Sequence, residues 1–302
     1  MRYEDLADAI GNTPLVGLPR LSPRSNVRLW VKLEGNNPTG SVKDRIARAM
    51  VDDAEKAGRL AAGATLVEPS SGNTGIALAL IARVRGYRLV VVMPENTSAE
   101  RRQLLELYGA ELVPSPAEGG SNGAIALAER LAADHPDWVM LDQYGNPANV
   151  DAHYRGTGPE IWRDCPEVTH FVAGLGTSGT FVGVGRKCRE VNPSIKLISV
   201  QPDSPLHGLE GLKHMDTAIV PGIYDPALAD EDLGISTEDA FDVTRRLARQ
   251  GLFVGISSGA NLVGALHVAR RTSDAVFVIV FPDGGEKYLS ERLWDEGAEA
   301  QS

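Results

Sequence analysis

The stretch Ala275–Phe281, AVFVIVF, places seven apolar residues in a row with no polar residue among them. A strand with one wet face alternates apolar and polar side chains. An unbroken run of this length is instead the pattern of a parallel strand buried on both faces. Shorter, mostly apolar and non-alternating runs recur at Arg28–Leu33, Thr65–Val67, Arg88–Met93, Glu111–Val113, Trp138–Leu141, His170–Ala173 and Lys196–Gln201. Between them lie stretches with helical periodicity: Val42–Ala57, Thr74–Val84, Ala99–Tyr108, Ala124–Ala133 and Ala240–Gln250. This alternation predicts an α/β protein with mostly parallel sheets covered by helices on both sides. A chain of 302 residues has room for two such domains. The longest segment without clear patterning, Asp203–Glu238, is expected to be a functional or mobile loop.

The formal net charge of −10 argues against a nucleic-acid or anionic-membrane partner, both of which need clustered Lys and Arg. Small anions need only local positive potential and stay open as ligands. The apolar runs are too short to span a bilayer. The opening residues hold no basic segment followed by an apolar run, so a cytoplasmic location is expected. Cys165 and Cys188 form no CxxC pattern and read as small buried hydrophobes. The six histidines show no metal-ligand spacing, so no metal is expected, and His153 and His170 read as packed or surface residues.

Ligands of parallel α/β folds gather where strand ends meet helix starts. Four such junctions carry unusual residues. In Asn37-Pro38-Thr39-Gly40-Ser41-Val42-Lys43-Asp44-Arg45, Ser41 and Asp44 have capping-box spacing and Lys43 falls in the first helical turn. The helix dipole disfavours a cation there, which helps expose a nucleophilic amine; a surface lysine in a well-capped helix is the plainer alternative. Glu68-Pro69-Ser70-Ser71-Gly72-Asn73-Thr74-Gly75 brings hydroxyls, an amide and backbone N–H groups to a helix start, suited to clamping a carboxylate or merely capping a helix. Gly174-Leu175-Gly176-Thr177-Ser178-Gly179-Thr180 suits a phosphate nest, and its Gly174-x-Gly176-x-x-Gly179 spacing also matches the dinucleotide fingerprint, with Asp203 beyond the next strand. Gly255-Ile256-Ser257-Ser258-Gly259-Ala260 is a further hydroxyl-bearing junction. Together, a first-turn lysine, a carboxylate clamp, a phosphate nest and a late serine pair are what a phosphate-bearing aldehyde cofactor requires.

These motifs resemble the cysteine synthase family, the O-acetylserine sulfhydrylases among fold-type II pyridoxal-phosphate enzymes. The likeness runs from Gly11-Asn12-Thr13-Pro14-Leu15 to Asp283-Gly284-Gly285. Lys43-Asp44-Arg45, Met93-Pro94-Glu95-Asn96 and Arg101-Arg102 are similar to the B-type enzymes. The resemblance implies two three-layer α/β/α domains with pyridoxal 5'-phosphate in the cleft between them. It implies a smaller, mobile, substrate-clamping domain over 36–146, and a larger domain, 1–35 plus 147–302, that binds the cofactor phosphate. It further implies a Schiff base on Lys43 and a hydrogen bond from Asn73 to the cofactor's phenolic oxygen. Gly176, Thr177, Ser178, Gly179 and Thr180 would hold the phosphate, and Ser257 would face the pyridine nitrogen. Ser70, Ser71, Gly72, Thr74 and Gln143 would form the substrate clamp; Ser70 stands where the family usually has Thr.

The implied reaction is β-replacement on an activated serine, with Lys43 taking the Cα proton, an α-aminoacrylate intermediate and addition of a sulfur nucleophile to give L-cysteine. O-acetyl-L-serine is the family's usual substrate. O-phospho-L-serine is the alternative, with Lys213 as its candidate cation. Sulfide, thiosulfate or the thiocarboxylate of a sulfur-carrier protein are the candidate donors, and a homodimer is the usual assembly. Rival readings are a cystathionine β-synthase, a serine or threonine dehydratase, a dinucleotide-binding oxidoreductase built on Gly174–Gly179, and a non-catalytic cofactor-binding protein.

Overall fold

The computed structural model describes residues 2–294; residue 1 and residues 295–302, which close the larger expected domain, lie outside the described residues. In chain order the strands are β1 (Leu15–Gly17), β2 (Val27–Leu33), β3 (Thr65–Glu68), β4 (Arg88–Pro94), β5 (Glu111–Ser115), β6 (Trp138–Met140), β7 (His170–Gly174), β8 (Lys196–Pro202), β9 (Glu231–Ile235) and β10 (Ala275–Phe281). The α-helices are α1 (Lys43–Lys56), α2 (Asn73–Arg85), α3 (Ala99–Leu107), α4 (Gly120–Asp134), α5 (Pro147–Ala152), α6 (Gly158–Asp164), α7 (Gly179–Val191), α8 (Thr237–Arg249) and α9 (Ile256–Ala269). They fall into two compact units.

The first unit joins the residues up to Gly11 with Asn37–Ala152. Its parallel sheet has the order β5-β4-β3-β6. Leu66, Leu89, Val91 and Met93 pack with Ile46 and Met50 of α1 and Ile76 of α2, while Val67, Val90 and Val92 pack with Ala124 and Ala128 of α4. Successive strand residues thus feed opposite helical layers, as the period of two requires. The expected limits of this domain were 36 and 146. The unit runs on through α5 to Ala152 and takes in the opening segment, because Ala148 and Ala7 both belong to the α1–α2 core.

The second unit joins Asn12–Asn36 with the described residues from His153 onward. Its sheet has the order β1-β2-β10-β7-β8-β9 and is parallel except for the antiparallel edge pair β1–β2. Every residue of β10 is buried, as its unbroken apolar run requires. Phe277, Ile279 and Phe281 pack with Leu247 of α8 and Leu262 of α9, whereas Val276, Val278 and Val280 pack with Ile161 of α6 and Phe181 and Val184 of α7. The segment Asp203–Glu238 is not one long loop: it contains β9, and α8 begins inside it at Thr237. Among the described residues, no helix is long and apolar enough to cross a membrane.

Candidate active site

Lys43 is the first residue of α1 and is half-buried, between the buried residues Ser41, Val42, Asp44 and Arg45. The capping differs from the expected Ser41–Asp44 box. Val42, not Ser41, precedes the helix, so Asp44 comes too early to close on Ser41. Its carboxylate instead accepts the Thr39 backbone N–H at 2.7 Å and, in a short contact, the Thr39 hydroxyl. Ser41 Oγ accepts the Lys43 N–H at 3.2 Å. The Ser41 bond occupies one of the donors that a helix start otherwise leaves open, and the Asp44 bonds tie the turn at Thr39 to the first turn of α1.

In the same unit, α2 starts at Asn73 with the extended Gly72 as its N-cap and no side-chain cap. The Ser70 carbonyl lies against the helix so closely that a Cβ on Gly75 would sit 1.9 Å from it. Gly75 is therefore required by backbone approach, and it draws Ser70 to the helix start. From the loop after β6 comes Gln143, whose Oε1 accepts the Thr74 hydroxyl at 2.7 Å; both side chains are buried. Asn149 Nδ2 donates to the Gln143 carbonyl at 2.7 Å. Five of the expected clamp residues, Ser70, Ser71, Gly72, Thr74 and Gln143, therefore meet at the start of α2 or in the loop bonded to it.

Sequence reasoning did not single out Glu68, the last residue of β3 and 1% exposed. Burial first, and then Asp142, push its carboxyl up to about 8, against backbone hydrogen bonds from Gln143, Asp142 and Leu141 that favour the charged form. The same surroundings raise the Tyr144 phenol, through burial, Glu68 and Asp142. Only the fold reveals this, since the partners come from the loop after β6.

In the second unit, β7 leads into the glycine-rich loop and α7. Ser178 caps α7 in the left-handed conformation, φ 68° and ψ −9°. The first helical hydrogen bond runs from Val182 N–H to Ser178 O, so the N–H groups of Gly179, Thr180 and Phe181 come before the regular ladder. A left-handed residue before a helix start is the geometry of an anion nest. The arrangement fits a phosphate monoester. The other two glycines answer to the chain itself. A Cβ on Gly176 would lie 2.2 Å from Gly211 O, and one on Gly174 would lie 2.5 Å from Leu212 Cδ2. The Lys213 N–H donates to Leu175 O at 2.8 Å and closes this contact, and burial lowers the pKa of the Lys213 ammonium. His153, read from sequence only as a packed or surface residue, is buried and bonded through its two ring nitrogens to Thr157 Oγ1 at 2.9 Å and Thr180 Oγ1 at 3.1 Å. The i, i+4 spacing of His153 and Thr157 was the one trace of this in the sequence.

At the fourth junction, Ser257 and Ser258 lie in the first turn of α9, both buried. A Cβ on Gly255 would meet Asp283 Oδ1 at 2.0 Å, so the glycine lets Asp283 against the helix start. Cys165 and Cys188 are free and buried, with thiols pushed up by burial to about 11 and about 12, which leaves neither a ready nucleophile.

Comparison with known proteins agrees with this chemistry. Residues 6–283 match the family described as pyridoxal-phosphate dependent enzyme. The chain is 46% identical over 293 residues to a protein named cysteine synthase B from Salmonella typhimurium, covering 96% of each. It is similar to the crystal structure of a cysteine synthase from Entamoeba histolytica, with a TM-score of 0.93 and 37% identity over 98% of this chain and 93% of that one. It is similar also to an O-ureido-L-serine synthase, with a TM-score of 0.92 and 40% identity over 99% and 98% of the two chains. The Gly174–Gly179 spacing therefore marks no dinucleotide enzyme, and the chain belongs to the cysteine synthase family of pyridoxal-phosphate-dependent enzymes.

Proposed function

We propose that the protein makes L-cysteine by β-replacement on O-acetyl-L-serine, with sulfide as the simplest sulfur donor and thiosulfate or a carrier thiocarboxylate as the others. The observation that carries the reading is the Thr74–Gln143 pair beside Ser70 and Ser71 at the start of α2. With Gln143 Oε1 engaged by Thr74, the donor side of the amide is the one offered to a ligand. That amide, the serine hydroxyls and the helix start favour an amino-acid carboxylate.

Pyridoxal phosphate, when bound, supplies an aldehyde that condenses with amines and a ring that accepts electron density. Gly176, Thr177, Ser178, Gly179 and Thr180 would hold its phosphate, with His153 orienting the Thr180 hydroxyl. Lys43 would hold its aldehyde carbon and then, as a free amine, take the proton from the substrate Cα. Asn73 would donate to the phenolic oxygen. Ser257 would offer the pyridine nitrogen a hydroxyl and not a carboxylate, which would not favour a protonated nitrogen there. This moderates electron withdrawal and suits loss of a good leaving group over transamination.

O-phospho-L-serine is the second substrate reading. Lys213 supports it, because its backbone is tied to the phosphate-loop residue Leu175 and its ammonium is partly desolvated. A cytoplasmic homodimer that receives sulfur from a small donor or a carrier protein completes the proposal. The two unpaired, buried cysteines suit a reducing compartment.

The test is a visible spectrum of the purified protein, followed by borohydride reduction and peptide mapping. A yellow band that moves to longer wavelength with O-acetylserine and returns with sulfide, with the cofactor trapped on Lys43, is the expected result. A colourless protein after incubation with pyridoxal phosphate, or label on another lysine, overturns it. Relative kcat/KM for the two substrates in wild type and Lys213→Ala decides between them; equal losses on both remove the phosphate role of Lys213.

A further inference from the structure

Asp283 lies just past the end of β10, which β2 and β7 flank, at the kind of strand end where ligands of parallel sheets gather. The chain there folds back on the residues that lead into α9. Val254 and Gly284 form an antiparallel bridge. The Gly255 N–H donates to Asp283 O at 3.1 Å, and the Gly285 N–H donates to Phe253 O at 3.3 Å. Asp283 is buried, and its Oδ2 accepts the Tyr288 hydroxyl at 2.7 Å. A Cβ on Gly255 would sit 2.0 Å from the other oxygen, Oδ1, and 2.7 Å from Tyr288 Cε2. Carboxyl and phenol ring therefore both press on the residue that precedes α9. Gly255 gives that helix no side-chain cap. A carboxylate beside the first turn supplies the negative charge that the positive end of the helix dipole favours. Ser257 is the second residue of this turn and is buried, so its placement follows that of Gly255 and Ile256.

We infer that Asp283 is a positioning residue for the cofactor: with its carboxyl held by Tyr288, it fixes the start of α9 and so the direction in which Ser257 presents its hydroxyl. The inference rests on the reading of Ser257 given above. A carboxyl suits this task because one oxygen can accept the Tyr288 hydroxyl while the other lies against the helix start. Asparagine at 283 keeps the shape and an acceptor for Tyr288. Alanine keeps neither and opens a space beside Gly255. Tyr288→Phe leaves the ring against Gly255 and removes only the hydroxyl.

The experiment compares wild type with Asp283→Ala, Asp283→Asn, Tyr288→Phe, Ser257→Ala and the double variant Asp283→Ala/Ser257→Ala. The readouts are the Kd of pyridoxal phosphate from titration of apoprotein, the visible band of the loaded protein, and hydrogen exchange of the 256–259 amides in apoprotein. Asp283→Ala is expected to speed exchange and to weaken cofactor binding by about tenfold, the scale of losing one or two buried hydrogen bonds. It should move the band in the same direction as Ser257→Ala. Tyr288→Phe should do the same to a smaller extent, and Asp283→Asn should bind within about threefold of wild type. In the Ser257→Ala background, Asp283→Ala should weaken binding further by less than about threefold, because it acts through that hydroxyl. A full further loss of about tenfold there is an independent structural effect and overturns the role. Binding and band left unchanged by Asp283→Ala while Ser257→Ala alters them also overturn it, and leave the Ser257 reading standing. If Ser257→Ala alters neither, that reading falls, and this role with it. If Asp283→Ala does not fold, Tyr288→Phe decides: weaker binding with a band moved as in Ser257→Ala supports the role, and wild-type values of both overturn it.

Discussion

Thr74 and Gln143, 69 positions apart in the chain, share a 2.7 Å hydrogen bond in which the hydroxyl donates to the amide oxygen and both side chains are buried. Removing one partner strands the other away from water. Thr74→Val is expected to cost roughly 1–3 kcal/mol of stability and to raise KM for the amino-acid substrate more than it lowers kcat. Thr74→Val and Gln143→Ala should be non-additive, with a coupling of roughly 0.5–3 kcal/mol. Denaturant unfolding of the two single variants and the double variant measures it; strict additivity removes the pair as a unit.

Ser178 is a non-glycine residue in left-handed backbone at the start of α7. Ser178→Gly should keep the nest and hold cofactor affinity within about threefold of wild type, because glycine meets no steric penalty there. Ser178→Val adds a β-branched side chain where even unbranched residues lose roughly 1–2 kcal/mol, so cofactor affinity should fall about tenfold or more. Titration of apoprotein with pyridoxal phosphate, followed by fluorescence or absorbance, separates the two.

Gly174 and Gly176 face different kinds of obstacle. The Gly176 Cβ would meet the carbonyl of Gly211, and backbone cannot step aside cheaply; the Gly174 Cβ would meet first the end of Leu212. Gly176→Ala should destabilise by more than the roughly 1–3 kcal/mol of ordinary overpacking, and Gly174→Ala by about that amount. Leu212→Ala should partly rescue Gly174→Ala and leave Gly176→Ala unrescued. Thermal unfolding of the single and paired variants checks this, and equal rescue of both contradicts it.

Glu68 gives the stability a pH dependence of known sign. Its ordinary value is 4.5, and in the fold, raised by burial and Asp142, it is about 8. Between those values the folded chain keeps a proton that the unfolded chain has lost. Stability from this group therefore declines as pH rises from about 4.5 to about 8 and is level above that. Glu68→Gln lacks the titration, so its stability relative to wild type should improve by roughly 3–5 kcal/mol across that range. Chemical denaturation at about pH 5 and about pH 9 reads the difference; parallel changes in the two proteins refute it.

The layered α/β plan and the chemistry-bearing junctions were legible because they rest on local signals. The AVFVIVF run coincides with β10, and Lys43 does open a helix. What stayed hidden depended on tertiary partners. β9 is a short edge strand, EDLGI, with an alternating burial pattern too polar to stand out from a loop. α9 is buried on nearly every side and so lacks the polar stripe that marks a surface helix. α7 carries Gly183 and Gly185 within its span, residues that argue against helix when read locally. Glu68 and His153 are ordinary in sequence; burial and Asp142 raise the Glu68 carboxyl, and the fold brings Thr180 to the His153 ring.

The packing of Gly211 and Leu212 on Gly176 and Gly174 makes the phosphate loop half of a two-part object. Its glycine spacing is a fit to a later stretch of the same chain, so the motif is not portable on its own. Transplanted into another scaffold without a counterpart to Gly211–Leu212, the loop would keep its letters and lose the brace that holds their shape. A search for this motif by spacing alone would then return chains that share the letters and lack the cradle.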